Sequence, residues 1–171
     1  MDFNVKEGNR FGLLKNVPVF GAIRENVIEQ LVSDAPIIQV KQGDYLFREG
    51  DSTTSMYVIE TGQVAVLKAW NKKEYLLKHL HAGDCIGEMS LFDFFPRSAS
   101  IVAVQDSRLV EITSANLLDI YDKDLEQFTL IQMNLGREVT RRLREADEQL
   151  FQDRIEAAIG DGGVTFYSSY V

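Results

Sequence analysis

The sequence predicts a mainly β protein of the α+β class: an antiparallel β-roll or jelly roll flanked by short N-terminal helices and a long C-terminal helix. Three observations support this. Apolar residues recur at helical intervals in residues 1–36 and again from residue 114 onward. Between them, residues 37–113 contain short runs rich in Val, Ile, Tyr and Leu. Many short strands separated by glycine-containing turns favour a closed roll.

The N-terminal segment, residues 1–36, is expected to form two or three short helices. Apolar residues recur at helical spacing from Phe11 to Ala35, and Pro18 and Gly21 interrupt the pattern. The apolar positions are Leu13, Leu14, Val17, Phe20, Ile23, Val27, Ile28 and Leu31.

The middle segment, residues 37–113, is expected to be the β-roll. Four turn pairs divide it: Gly43-Asp44, Gly50-Asp51, Thr61-Gly62 and Gly83-Asp84. The predicted strands are Ser55–Glu60, Gln63–Ala69, Glu74–Leu80, Ala99–Val104 and Arg108–Ile112. A closed roll of this kind has a cavity to line.

Residues 114–159 are predicted to be helical, first near Asn116–Tyr121 and then from Leu125 to about Leu150, where Pro is absent. The long helix has an apolar stripe with steps of three and four residues: Ile131, Leu135, Val139, Leu143, Ala146 and Leu150. A stripe this long favours a homodimer through the helix, the alternative being packing on its own roll. The tail, residues 160–171, is expected to be a turn followed by a short apolar strand or a disordered end.

The composition weighs against several functions. A net charge of −8 disfavours binding to nucleic acids or anionic membranes, because phosphate contacts need clustered Lys and Arg. There is no run of 18 apolar residues and no signal peptide, so we expect a cytoplasmic protein whose natural start is Met1. Cys85 is the single cysteine, and no Cys or His cluster has zinc-like spacing, so no metal is expected.

The most informative segment is residues 86–100. Gly87 lets the backbone approach a bound group, and Glu88–Phe92 has the composition of a short helix whose first amides attract a phosphate. Arg97 can offer two phosphate oxygens a planar fork of donors. A carboxylate beside a phosphate must accept hydrogen bonds, and sugar hydroxyls are suitable donors for Glu88. The segment therefore predicts a ligand with one phosphate and one sugar.

These residues resemble the cyclic nucleotide-binding domain shared by bacterial catabolite activator proteins, protein kinase A regulatory subunits and nucleotide-gated channels. Gly87-Glu88 followed by Pro96-Arg97-Ser98-Ala99 is similar to the phosphate-binding cassette of that family. Lys41–Asp51 and Met56–Ile59 are similar to its first hairpins. The resemblance covers about Leu13–Leu150.

The resemblance implies a role for each cassette residue. Glu88 would accept a hydrogen bond from the ribose 2′-hydroxyl, and Arg97 would bind the exocyclic oxygens of the cyclic phosphate. Ser98 favours cyclic AMP, since members selective for cyclic GMP often carry Thr there. The implied binding residues are Gly87, Glu88, Met89, Ser90, Arg97 and Ser98.

The resemblance also implies a sensor without catalytic residues or a cofactor, in which ligand binding moves the C-terminal helix toward the roll. That helix would cap the base near Arg142, Ala146 and Asp147, although activator proteins carry hydroxyl residues at the last two positions. The expected ligand is cyclic AMP, and the alternatives are cyclic GMP or another effector. The protein that receives the signal is not identified by the sequence.

Three other interpretations compete with this one. A cupin-like metal-dependent enzyme would use His79, His81 and Glu88, but the spacing differs from that of cupins and the chain has only two histidines. A DNA-binding regulator needs more than the 21 residues that follow Leu150, of which only Arg154 is basic. The third is a family member that has lost its ligand or uses another effector. For Glu88 and Arg97 the alternative to ligand binding is a structural ion pair across the helix, which contributes little if exposed.

Overall fold

The computed structural model describes the backbone of residues 7–160 and the side chains of residues 10–157. The chain divides between Leu135 and Gly136 into two compact units. The first contains the strands, the shorter helices and the start of the last helix, and the second contains the C-terminal part of that helix. The prediction for the tail beyond Gly160 lies outside the described residues.

The first unit begins with helix α1 (Glu7–Asn16), a single 3-10 turn (Pro18–Phe20) and helix α2 (Glu25–Asp34). Pro18 occupies the first position of the 3-10 turn, where a missing N–H is tolerated. The spacing of the apolar residues therefore predicted this region correctly.

Among the described residues, eight antiparallel strands form two four-stranded sheets. The first sheet has the order β1 (Ile37–Val40), β8 (Ser107–Thr113), β3 (Ser55–Thr61), β6 (Cys85–Ile86). The second has the order β2 (Tyr45–Phe47), β7 (Ser100–Ala103), β4 (Gln63–Trp70), β5 (Lys73–His81). The five predicted strands are present to within one residue at each end, and the mainly β roll of the α+β class is confirmed.

Two groups of buried apolar residues stabilise the first unit. One joins the N-terminal helices to the first sheet and includes Phe20, Ile28 and Val110. The other lies within the roll and includes Phe47, Ile59 and Ile101. Burial of side chains of this size contributes about 1.5–3 kcal/mol each. The two groups hold the strands that carry segment 86–100.

The C-terminal helices are α4 (Ser114–Lys123) and α5 (Leu125–Gly160). A reciprocal pair of hydrogen bonds between Thr113 and Asn116 caps the start of α4. Helix α5 continues ten residues beyond the predicted end at Leu150, because residues 151–159 contain neither Gly nor Pro to stop it. No helix in the described part of the chain is long and apolar enough to cross a membrane.

The apolar stripe of α5 is divided in the structure. Ile131 and Leu135 are fully buried in the core of the first unit, together with residues of the N-terminal helices. In the second unit Leu143 and Leu150 are exposed by 60% and 50%. The stripe therefore has two parts, and only the part from Val139 onward has side chains that could pair with another helix.

A buried ionic cluster connects α1 to the first sheet. The carboxylate of Glu60, on β3, accepts hydrogen bonds from Arg10 Nε at 2.8 Å and from Arg108 Nε at 3.0 Å. The Glu60 side chain is 2% exposed, whereas those of Arg10 and Arg108 are 16% and 10% exposed. A carboxylate removed from water to this extent requires its cationic partners.

Candidate functional site

Segment 86–100 begins in β6 and ends at the first residue of β7. The backbone turns at Gly87, whose φ is +78°, and then forms a short helix, α3 (Met89–Asp93). The residue after the helix, Phe94, has a left-handed conformation with φ of 55°. The predicted short helix is therefore present, and the chain then returns through Pro96 so that Arg97 faces Gly87.

Arg97 is the centre of the site. Its guanidinium is buried, and the whole residue is only 3% exposed. Nη1 donates hydrogen bonds to the Gly87 carbonyl oxygen at 2.8 Å and to Ser90 Oγ at 2.7 Å. Nη2 donates to the Ser55 carbonyl oxygen at 2.7 Å and to Thr53 Oγ1. These four acceptors are all uncharged.

Two aromatic rings complete the surroundings of the guanidinium. Its Cζ lies 4.2 Å from the centroid of the Phe47 ring and 5.7 Å from that of Tyr57. Burial lowers the pKa of Arg97, while Tyr57, Glu88 and Glu111 act in the opposite direction. Arginine nevertheless keeps its charge at any physiological pH. The site therefore holds a permanent, desolvated positive charge.

A chain of hydroxyl groups runs from this charge to a carboxylate. Ser55 Oγ donates to the hydroxyl of Tyr57 at 3.2 Å, and that hydroxyl donates to Glu111 Oε1 at 3.0 Å. Burial raises the pKa of Tyr57, so its phenol stays protonated near neutral pH and can donate. The chain fixes Ser55, whose carbonyl oxygen orients the guanidinium.

Glu88 lies immediately before α3 and is 1% exposed. Its carboxylate is close enough to attract the Arg97 guanidinium electrostatically. Both side chains are buried, so they do not form an exposed surface ion pair, the arrangement that would contribute little. A buried carboxylate beside a buried guanidinium can accept hydrogen bonds from hydroxyl groups while the guanidinium binds an anion.

Gly87 has no room for a side chain. A Cβ atom built on it would overlap Arg97 Nη1 and lie 3.1 Å from the Ser55 carbonyl oxygen. Its φ of +78° is also strained for any residue with a Cβ. The glycine predicted from the sequence is thus required by the position of Arg97.

The structure brings some of the sequence-predicted residues together and leaves others apart. Gly87, Ser90 and Arg97 are directly hydrogen-bonded. Met89 is 45% exposed, and the Ser98 side chain is exposed as well. Ser98 instead contacts another part of the site through its carbonyl oxygen, which accepts a hydrogen bond from Lys68 Nζ at 2.6 Å.

Sequence reasoning did not identify four residues around the guanidinium: Phe47, Thr53, Ser55 and Tyr57. They lie in or beside the first hairpins, where the sequence indicated strands and turns but no contact with Arg97. Ser55 and Tyr57 are two positions apart on β3, so they lie on one face of the sheet. Two side chains with hydroxyl groups at that spacing, at the start of the strand, could have indicated a polar contact inside the roll.

The two histidines are not part of a metal site. His79 and His81 lie on β5, and Nε2 of His81 forms a hydrogen bond with Nε2 of Gln63 at 2.9 Å. In the described part of the chain, no group of three His, Cys, Asp or Glu side chains could hold a metal ion. Nothing in the geometry favours the cupin-like alternative.

Comparison with known proteins gives concordant results. Residues 37–124 match the family model described as the cyclic nucleotide-binding domain. The Cyclic AMP receptor protein of Thermus thermophilus is 31% identical over 138 residues, which cover 80% of this chain and 62% of that protein. The Pycsar effector protein XpPycTIR of Xanthomonas perforans is 27% identical over 134 residues, covering 78% of this chain and 42% of that protein.

Solved structures agree. A cyclic nucleotide-binding domain from Methylobacillus flagellatus superposes with a TM-score of 0.76 at 25% identity, covering 86% of this chain and 83% of that one. The catabolite activator protein of Thermus thermophilus gives a TM-score of 0.71 at 31% identity, covering 82% and 65%. The chain spans less than two thirds of the length of the two curated relatives named above.

Proposed function

The chain belongs to the cyclic nucleotide-binding domain family, and from this premise we propose that it is a sensor of cyclic AMP with no catalytic residues of its own. The observation that carries the proposal is the buried guanidinium of Arg97, oriented by Gly87, Ser90 and Ser55. An exocyclic oxygen of a cyclic phosphate can accept a hydrogen bond from the guanidinium in place of the Thr53 hydroxyl, while Ser90 and the carbonyl oxygens of Gly87 and Ser55 hold the guanidinium. No cofactor or metal is required.

Glu88 is proposed to bind the sugar. Its carboxylate is buried next to Arg97, where a second anion would be repelled unless hydroxyl groups donate hydrogen bonds to it. A ribose 2′-hydroxyl supplies such a donor. The amides of Gly87, Met89 and Ser98 are proposed to support the phosphate, and Ser90 keeps Arg97 in position.

Cyclic AMP is proposed over cyclic GMP for two reasons. Ser98 stands where members selective for cyclic GMP often have Thr, and its exposed side chain is free to meet a ligand. The name of the Thermus thermophilus relative also specifies cyclic AMP. Cyclic GMP is the second candidate.

The ligand and its selectivity can be tested by isothermal calorimetry. We expect cyclic AMP to bind more tightly than cyclic GMP, and 5′-AMP to bind more weakly than both because its phosphate carries a second charge and lacks the ring. Tighter binding of cyclic GMP would make it the effector. Absence of heat with both cyclic nucleotides, checked by equilibrium dialysis, would reject the proposed function.

The output is proposed to be a movement of helix α5 in the cytoplasm. The moved helix would change how the chain pairs with a second copy of itself or with another partner protein. Val139, Leu143, Ala146 and Leu150 are spaced by four, three and four residues, which suits a paired helix. Ligand binding must favour one position of this helix over another for a signal to result.

The coupling predicts slower amide exchange in α5 when cyclic AMP is bound. We expect protection to increase over Leu125–Leu150, and sedimentation velocity to report the change in oligomeric state. Leu143→Glu, which places a charge on the exposed stripe, should abolish self-association without removing ligand binding. Identical exchange with and without cyclic AMP would show that α5 does not respond to the ligand.

Gly87→Ala tests whether ligand binding needs the close contact between Gly87 and the guanidinium of Arg97. The added Cβ must displace the guanidinium of Arg97, so we expect the affinity for cyclic AMP to fall about tenfold or more. Backbone strain should also lower the free energy of unfolding by about 1–3 kcal/mol. The matched control is Gly43→Ala, at a position with a similar φ of +86° but no atom within 4 Å of the new Cβ. If both variants bind equally well, Gly87 is not needed for the position of Arg97.

A further inference from the structure

We propose that Lys68 and Glu49 form a brace that positions Ser98 for the nucleotide. The proposal rests on the proposed function, because it concerns the same site. It adds two residues that lie outside segment 86–100 and reach the site through the Ser98 carbonyl oxygen. Lys68 and Glu49 are positioning residues, since they act through Ser98.

The brace consists of three hydrogen bonds. Lys68 Nζ, on β4, donates to the Ser98 carbonyl oxygen at 2.6 Å and to Glu49 Oε1 at 2.6 Å. The other carboxylate oxygen of Glu49 accepts from the backbone N–H of Ala69 at 3.0 Å. One carboxylate thus holds both the ammonium group and the strand that carries it.

The turn that contains Glu49 also holds the chain on both sides of Ser98. Gly50 N donates to the Arg97 carbonyl oxygen at 2.9 Å, and Arg97 N donates to the Asp51 carbonyl oxygen at 2.9 Å. Glu49 N donates to Ser100 Oγ at 2.9 Å. The chain is therefore fixed at residues 97 and 100, and the contact with Lys68 fixes the carbonyl between them.

This arrangement is built to hold position more than to add stability. The side chains of Lys68 and Glu49 are 48% and 30% exposed, and exposed ion pairs contribute little to folding. The hydrogen bond from Lys68, followed by that from the Ala69 amide, lowers the pKa of Glu49, so the carboxylate stays charged at neutral pH. Loss of the brace should therefore change ligand binding while the unfolding midpoint stays the same.

A competing explanation is a direct contact between Lys68 and the phosphate, since an ammonium group has three donors and two are used in the brace. The two explanations differ when Ser98 is also changed. If Lys68 acts by positioning the Ser98 hydroxyl, Lys68→Met costs less affinity in a Ser98→Ala background. A direct contact would cost the same in both backgrounds, and that result would overturn the positioning role.

The test measures the affinities for cyclic AMP and cyclic GMP of Lys68→Met, Lys68→Arg and Glu49→Gln. It also measures them for Ser98→Ala and for the double variant with Lys68→Met and Ser98→Ala. We expect about three- to tenfold weaker cyclic AMP binding for Lys68→Met and Glu49→Gln, a changed ratio between the two nucleotides, and near-complete rescue by Lys68→Arg. The matched control is Lys73→Met, at an exposed lysine of the same sheet. Equal affinities for Lys68→Met and Lys73→Met would overturn the proposal.

Failure of the proposed function would be recognised separately, because the unmodified protein would then bind neither nucleotide in the same titration. The brace would still be tested by amide exchange at Ser98 and Ala99. Faster exchange in Lys68→Met than in Lys73→Met would support it as a positioning contact. Equal exchange in the two variants would overturn it.

Discussion

Replacing Arg97 by Ala should lower the affinity for cyclic AMP by about 30-fold to several-thousand-fold. This range corresponds to about 2–5 kcal/mol, the usual effect of removing one partner of a desolvated charge pair. The guanidinium is buried against Phe47 and oriented by Gly87 and Ser90, so water cannot easily replace it. Calorimetric titration with cyclic AMP measures the loss.

Arg97→Lys should also weaken binding, though less than Arg97→Ala. An ammonium keeps the charge but offers no planar fork, so it cannot donate to the phosphate and to the Gly87 and Ser55 carbonyl oxygens in the same geometry. If Arg97→Lys binds cyclic AMP as tightly as the unmodified protein, a positive charge alone is sufficient to bind the phosphate.

The matched control for Arg97→Ala is Arg48→Ala. Arg48 is exposed, and its guanidinium stacks on the Tyr45 ring at 3.6 Å, so its removal also deletes a cation–π contact. We expect affinity to stay within about twofold of the unmodified protein. Each variant needs a denaturant unfolding curve, because Arg97 also joins Gly87 to Ser55. Unchanged cyclic AMP affinity for folded Arg97→Ala would refute the assignment of the phosphate site.

Local spacing explains why part of the site could be predicted from the sequence. Gly87, Glu88 and Arg97 belong to one short segment, and the structure places Gly87 and Arg97 in direct contact. Their binding roles remain predictions. The residues that orient Arg97 from outside, Thr53 and Ser55, are 44 and 42 positions away. They contribute a hydroxyl and a main-chain carbonyl, groups that leave no distinctive pattern in a sequence.

The fold was predictable to a similar extent. Runs rich in Val, Ile, Tyr and Leu between turn pairs marked five strands, including the four-residue β7. Strands β1, β2 and β6 were not predicted, and β2 and β6 have only three and two residues. The apolar stripe of α5 was visible, but its division was not. Each step of four residues turns the stripe by about 40°, so Leu143 faces about 120° away from Ile131. Only tertiary contacts decide that Ile131 is in the core and Leu143 is exposed.

Glu60 shows the same limit for charged residues. In the sequence it is the last residue of a predicted strand, where an exposed carboxylate would be ordinary. Its partners Arg10 and Arg108 lie 50 and 48 positions away, on α1 and β8. Their meeting depends on how the N-terminal helix packs on the first sheet, which no local pattern specifies.

Replacing Glu60 by Gln should destabilise the first unit by about 3–5 kcal/mol in the free energy of unfolding. The change keeps the shape of the side chain but removes the negative charge from between two guanidinium groups, one of which is on a side chain only 10% exposed. Breaking a buried ionic cluster by removing one partner typically has an effect of this size. Urea unfolding, followed by circular dichroism, measures it.

The matched control is Glu25→Gln, which removes a carboxylate from an exposed pair with Lys15 whose side chains are 64% and 52% exposed. A change below about 1 kcal/mol is expected there. A second variant separates loss of charge from loss of packing: Glu60→Met combined with Arg108→Met should recover part of the stability, because hydrophobic replacement of a whole buried pair is often tolerated. If Glu60→Gln costs no more than Glu25→Gln, the cluster does not hold α1 against the sheet. If the double variant is less stable than Glu60→Met alone, Arg108 stabilises the fold by means other than its pairing with Glu60.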